Sequence, residues 1–134
     1  MVLHELNGYM RVEWLENEKA ILDKWYSLLL TVEQFEEAVL VKGLEYSKKH
    51  AGRAWIVDMT EARGAFSPEI QEFIKDKVFP EFTKNGVKYF ITAKGESAIT
   101  RLSNQIYEAQ LGPAGIMLLE VPSFEVAKQW LKDN

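Results

Sequence analysis

The chain has 134 residues, of which 47% are hydrophobic and 27% charged, so it has the composition of an ordinary globular protein and the length of a single domain, 1–134. Its net charge of −4 argues against a nucleic-acid partner, and the lack of cysteine excludes disulfides and zinc–thiolate sites. Because no apolar run approaches the ~20 residues of a membrane span and no signal pattern begins the chain, the sequence predicts a cytoplasmic protein without membrane insertion.

The segment 9–30 predicts an antiparallel pair of strands. Apolar and polar residues alternate over 9–16, which is typical of a half-buried strand, and 19–30 is its predicted partner. Residues 1–8 carry little pattern and predict a loose lead-in.

A helix is predicted after this pair of strands. Thr31 followed by Gln34 matches a capping box, apolar residues recur at helical spacing as far as Tyr46, and Gly52 ends the helix. Gly43 in mid-helix costs roughly 1 kcal/mol relative to alanine. We therefore expect close packing of this helix on the sheet.

The stretch 53–73 carries the strongest functional signal. The apolar run 54–57 stops at Asp58, as a buried parallel strand would. After a polar loop, Ser67 supplies an N-cap oxygen and Pro68 suits the first helical position. Strand end, loop and helix start form the usual place for a binding site in an α/β sheet.

The rest of the chain predicts further alternation of strands and helices. Pro80 removes a backbone hydrogen bond from the second helix and predicts a kink or break near Phe79. Strands are expected over 87–93 and 115–121, and Ser123 caps a last helix. Between these strands, Glu96 or Ser97 is the predicted cap of a third helix with one apolar side: Ile99, Leu102, Ile106 and Ala109.

This order predicts an α/β domain with a mostly parallel five-stranded sheet. Right-handed crossovers would place the helices mainly on one face of the sheet. The other face then needs cover, and a homodimer is expected through the hairpin strands or through that face. Aromatic residues of the first two strands are candidates to supply the cover or to meet the second subunit: Tyr9, Trp14, Trp25 and Tyr26.

Short motifs from Tyr9 to Leu131 resemble those of the SpoIIAA-like family, small bacterial proteins akin to the STAS domains of anti-sigma factor antagonists and sulfate transporters. The resemblance implies a β/α superhelical fold and a non-catalytic role in regulation or ligand binding. The matching residues are a hairpin ending in Trp25, Glu13-Trp14, Trp55-Ile56-Val57-Asp58, Ala65-Phe66-Ser67-Pro68-Glu69, Val78-Phe79-Pro80 and Pro122-Ser123-Phe124-Glu125.

The resemblance also implies a candidate regulatory residue. Anti-sigma factor antagonists carry a phosphorylatable serine in an Asp-Ser-Ser-Gly-like turn, and Ser67 corresponds best to it. Its neighbours here are Phe66 and Pro68, so the acidic residue and the glycine of that turn are missing. The related CRAL-TRIO lipid-binding domains imply an apolar ligand as an alternative.

A candidate binding rim lies where the predicted parallel strands end. Ser67 also has an ordinary role as a helix cap, and Asp58 is expected to cap a turn or to pair with Arg63. Arg63 beside a helix N-terminus suits an anion, although a single arginine is a weak signal. The full set is Asp58, Thr60, Arg63, Phe66, Ser67, Lys94 and Ser97.

The sequence predicts no catalytic residue, no metal site and no cofactor. His4 and His50 have no carboxylate or nucleophile partner in the sequence, and no nucleotide-binding fingerprint is present.

Three functions remain open at this point. The first is a regulatory module that binds an unidentified protein partner through the rim and would show an exposed apolar patch. The alternative is a carrier of a small apolar or lipid-like ligand, which would show an enclosed apolar pocket of several hundred Å³. An enzyme with an unrecognised site would show convergent titratable groups in a cleft.

Overall fold

A seven-stranded sheet organises the computed structural model, which describes residues 1–95 and 107–134. In space the strands follow the order β1-β2-β3-β4-β5-β7-β6, with β3, β4, β5 and β7 parallel and the remaining pairs antiparallel. Their bounds are β1 Val2–Leu6, β2 Met10–Leu15, β3 Ala20–Trp25, β4 Ala54–Asp58, β5 Tyr89–Ala93, β6 Gln110–Leu111 and β7 Met117–Val121.

The α/β class and the opening antiparallel pair are confirmed, whereas the five-strand count is wrong. The predicted loose lead-in forms β1, which pairs with β2. A register shift between Val2 and His4 interrupts its alternation, which explains why the pattern did not reveal a strand. The second additional strand, β6, lies where the third predicted helix was expected to end, and Ala109 is not helical. The rest of that helix, with Ser97, Ile99, Leu102 and Ile106, lies outside the described residues.

The first helical segment, α1 (32–49), comprises Val32–Glu36, a π-helical stretch Glu37–Leu44 and Glu45–Lys49. The predicted capping box is present, because Thr31 Oγ1 accepts from the Gln34 amide and the Gln34 side chain accepts from the Thr31 amide. A Cβ added to Gly43 would lie 2.6 Å from Cη2 of Trp55. The expected close packing of this helix on the sheet is therefore confirmed.

The second helical segment, α2 (68–84), comprises Pro68–Phe73, a π-helical stretch Ile74–Val78 and Phe79–Lys84. The helix neither breaks nor ends at Pro80. Instead, the amide of Phe79 bonds to the carbonyl of Ile74, five residues back, in the turn that precedes the proline. A wider turn accommodates the proline ring, which would otherwise clash with the carbonyl four residues before it.

Helices cover both faces of the sheet. Segments α1 and α2 pack on the face that carries Trp25 and Trp55, while α3 (Phe124–Asp133) packs on the opposite face through Ala127 and Leu131. The face expected to lack helices is thus covered at least in part by the last helix, which corrects the prediction of helices mainly on one face.

The hairpin tryptophans do not provide that cover either. Trp14 and Trp25 are buried on the same face as α1, where Trp25 stacks on Phe35 and Trp14 meets Tyr46 edge to face. These two tryptophans therefore cannot contribute to a dimer surface on the opposite face. A homodimer stays a prediction without that support.

Candidate functional site

A cavity of about 160 Å³ lies between the sheet and the two helical segments α1 and α2. Its inner wall is made of buried residues: Asp23, Trp25, Phe35, Val39, Trp55, Val57, Val78 and Phe82. Its outer wall is made of half-buried residues: Met59, Phe66, Ile74, Phe79, Phe90 and Thr92. Apart from Asp23 and Thr92, every lining side chain is apolar or aromatic.

Neighbouring strand ends and both π-helical stretches build this cavity. Val39 belongs to the π-helical stretch of α1, and Ile74 and Val78 belong to that of α2. Met59 follows β4 directly, and Thr92 is the penultimate residue of β5. The cavity therefore reaches the carboxyl end of the parallel strands, where α/β sheets commonly bind ligands.

Asp23 is the one acidic side chain among the described residues that line the cavity. It lies on β3 and is only 2% exposed. The indole N–H of Trp55 donates a hydrogen bond of 2.8 Å to its Oδ2. Its Oδ1 has no hydrogen-bond partner within the part of the chain that the structure describes. A buried carboxyl with one unused acceptor is costly for a folded protein and is a signal for function.

Burial dominates the electrostatics of Asp23. Loss of solvation raises the pKa of its carboxyl from an ordinary value of 3.8 to about 7, and the hydrogen bond from Trp55 offsets only part of this effect. The group thus changes its charge near neutral pH. Strongly perturbed acids in apolar clefts are typical of binding and catalytic sites.

The rim residues Asp58 and Thr60 form a local turn rather than an open site. Oδ1 of Asp58 accepts from the amide of Thr60 at 3.0 Å and from its hydroxyl at 2.6 Å. Oδ2 of Asp58 lies 4.0 Å from Nζ of Lys24, which also contacts Glu61 at 2.7 Å. The hydrogen bond with Glu61 raises the pKa of Lys24. The turn role of Asp58 is confirmed, whereas its expected partner Arg63 is replaced by Lys24.

The other described rim residues have contacts of their own. The backbone of Arg63 pairs with the segment 26–28, and its side chain is exposed. Lys94 is exposed and forms an ion pair with Glu120. Ser97 lies outside the described residues. Of the described rim residues, only Phe66 lines the cavity, where its ring meets Trp25 and Phe35 edge to face.

Ser67 caps α2. Its Oγ accepts from the amide of Ile70 at 3.2 Å, and Ser123 makes the same contact with Val126 at the start of α3.

We expect Ser67→Ala to lower the free energy of unfolding by about 1 kcal/mol, and Ser67→Asp to leave it unchanged because aspartate also caps. Urea denaturation measures both, with Ser123→Ala as the matched control for loss of a cap. A loss on Ser67→Asp equal to that on Ser67→Ala would contradict the cap. The regulatory role of Ser67 stays a prediction.

The sequence-based reasoning did not single out Asp23. A usable signal was present, because Ile21, Asp23 and Trp25 share one face of a strand and the acid sits between two large apolar residues. An acid at an inward position of a strand is rarely buried without a partner or a function.

Comparisons of the chain with protein-family models, with curated proteins and with solved structures found no match. The SpoIIAA-like assignment therefore stays a prediction. Within residues 1–95 and 107–134, no helix is both long and apolar enough to cross a membrane. The same residues contain no group of three or more histidine, aspartate or glutamate side chains placed to hold a metal ion.

Proposed function

We propose that this domain is a non-catalytic binding module that holds a small, mostly apolar ligand in the cavity between the sheet and the segments α1 and α2. The observation that carries the proposal is the combination of an aromatic-lined cavity of about 160 Å³ with a buried carboxyl on its wall. An engineered apolar cavity of about 150 Å³ is large enough to bind benzene. The volume therefore suits a ligand of about one ring. It is smaller than the several hundred Å³ expected of a carrier for a lipid-like ligand, and it is too small for a long lipid chain.

The surface of the domain gives less support to a protein partner at the rim. Thr60 donates two hydrogen bonds to Asp58, Lys24 lies 4.0 Å from the other oxygen of Asp58, and Lys94 pairs with Glu120. The large exposed apolar side chains lie on separate elements: Met1 and Val2 at β1, Leu29 before α1, Val41 on α1 and Leu111 on β6. A regulatory role through protein contacts, as the SpoIIAA-like resemblance implies, stays open as a second proposal, and capture of a partner through the rim would test it.

A catalytic role has less support than binding. Acid–base chemistry usually needs a second titratable or nucleophilic group within hydrogen-bond reach of the first. Among the described lining residues, Asp23 is the one titratable side chain, and Thr92 contributes the one hydroxyl. We therefore propose no reaction.

We expect the protein to bind benzene or toluene, because either ring would exchange water for the apolar walls of the cavity. NMR titration can follow the indole N–H resonances of Trp25 and Trp55, which both line the cavity. Val39→Phe should abolish binding, since it places a ring in the same space. Val41→Phe is the matched control, because Val41 lies on the same helical stretch and is 47% exposed. Absence of binding to the wild type, or equal binding by Val39→Phe, would contradict the proposal.

A further inference from the structure

Asp23 lines the cavity, and its carboxyl carries a hydrogen-bond acceptor that the described chain does not use. Its Oδ2 is engaged by Trp55, while its Oδ1 is buried without a partner among those residues. Holding the Trp55 indole requires one acceptor oxygen, which an asparagine would supply without burying a charge. A role limited to holding the Trp55 indole therefore does not explain why position 23 carries a second oxygen, Oδ1.

The walls around this carboxyl favour a flat aromatic guest. Trp25, Phe35 and Phe66 meet in edge-to-face and stacked pairs, with ring centroids 5.1 to 5.8 Å apart. On the other side, Trp55 stacks on Phe82 with centroids 4.2 Å apart. Aromatic side chains attract another ring through the same edge and face contacts.

We propose that the ligand is a small aromatic molecule with an N–H donor, and that this N–H donates to Oδ1 of Asp23. The inference rests on the proposed function, and it adds the chemical class of the ligand. Thr92 on the outer wall does not impose this preference, since a hydroxyl both donates and accepts. An ionised carboxylate only accepts, so it selects donors.

Asparagine at position 23 should change this preference for a stereochemical reason. The indole N–H of Trp55 can only donate, so the amide oxygen of asparagine must take the place of Oδ2. The amide NH₂ then lies where Oδ1 was and presents donors to the cavity. A ligand N–H would meet another N–H there.

The test compares pyrrole with furan, which have nearly the same shape but differ in the N–H donor. Calorimetric or NMR titrations are made about one pH unit above 7, where the carboxyl is mostly ionised. We expect the wild type to prefer pyrrole by about tenfold, as for a net hydrogen bond to a charged group. Asp23→Asn should reduce the ratio to about one or below, while Thr92→Val should keep the wild-type ratio.

The outcomes distinguish failure of the proposed ligand class from failure of the proposed binding cavity. Binding of furan and pyrrole with equal affinity by the wild type overturns the donor class but leaves the binding cavity standing. If the wild type binds neither pyrrole nor furan, both the donor class and the binding cavity are overturned. A ratio that Thr92→Val abolishes and Asp23→Asn preserves overturns the assignment to Asp23.

A measurement on the wild type alone covers the case in which Asp23→Asn does not fold. The pyrrole-to-furan ratio should fall when the pH is lowered to about one unit below 7, because the protonated carboxyl loses its preference for donors. The neighbouring Lys24 pairs with Glu61, and the described cavity wall contains no other titratable side chain. An unchanged ratio overturns the proposal.

Discussion

Replacement of Trp55 by alanine is expected to lower the free energy of unfolding by about 3–5 kcal/mol, a large part of the stability of a domain of this size. The Trp55 side chain lies in the predicted buried strand 54–57 and is fully buried, and it stacks on Phe82 and packs against Gly43. Its loss leaves a large void. It also removes the donor of the one hydrogen bond made by the buried Asp23 carboxyl within the described structure.

Urea denaturation of three variants and the wild type separates these contributions. Trp55→Phe keeps much of the packing but loses the N–H donor, so it should cost less than Trp55→Ala while still leaving Asp23 without its hydrogen bond. Trp130→Ala is the control at a half-buried tryptophan on the opposite face of the sheet. A Trp55→Ala midpoint close to that of the wild type would show that β4 is misplaced.

Stability is expected to fall as the pH rises from about 4 to about 7, by up to about 4 kcal/mol, because of Asp23 alone. The folded carboxyl has a pKa of about 7, while the unfolded one keeps its ordinary value of 3.8. Between these values the folded state holds a proton that the unfolded state has lost. By linkage, the free energy of unfolding then decreases with pH across this window, and the loss is complete above pH 7.

The difference in the free energy of unfolding between the wild type and Asp23→Asn isolates this effect, since all other titratable groups are common to both proteins. Asparagine does not titrate, yet it can still accept from the Trp55 indole. Urea midpoints measured across the pH window should therefore converge at acidic pH and separate near neutral pH, with the variant the more stable there. Parallel curves for the two proteins would mean that the carboxyl titrates at an ordinary pKa.

Local features of the fold could be predicted because neighbouring residues determine them. The caps at Thr31, Ser67 and Ser123 are all present, since each depends on an amide or side chain three residues away. The buried residues Met10, Val12 and Trp14 follow the predicted alternation of β2. The turn role of Asp58 likewise depends on a residue two positions later.

The candidate site could not be derived in the same way. Of the described rim residues, only Phe66 lines the cavity, and its carbonyl accepts from the side chain of Gln71. Asp23 and Trp55 meet because β3 and β4 pair in parallel with Ile21 opposite Trp55 and Asp23 opposite Val57. The two residues are 32 positions apart, and no pattern within either strand specifies their register.

Periodicity and capping groups a few residues apart were enough to predict the α/β class, the opening antiparallel pair and the starts of the three described helical segments. The tertiary structure alone decided that α3 covers the opposite face, that residues 1–8 contribute an edge strand, and that the hairpin tryptophans lie beneath α1. It also decided that Asp23 is buried. The raised pKa of that carboxyl, and the lack of a described partner for its Oδ1, depend on which distant side chains exclude water around it. Those contacts exist only once the sheet and both helical segments have packed.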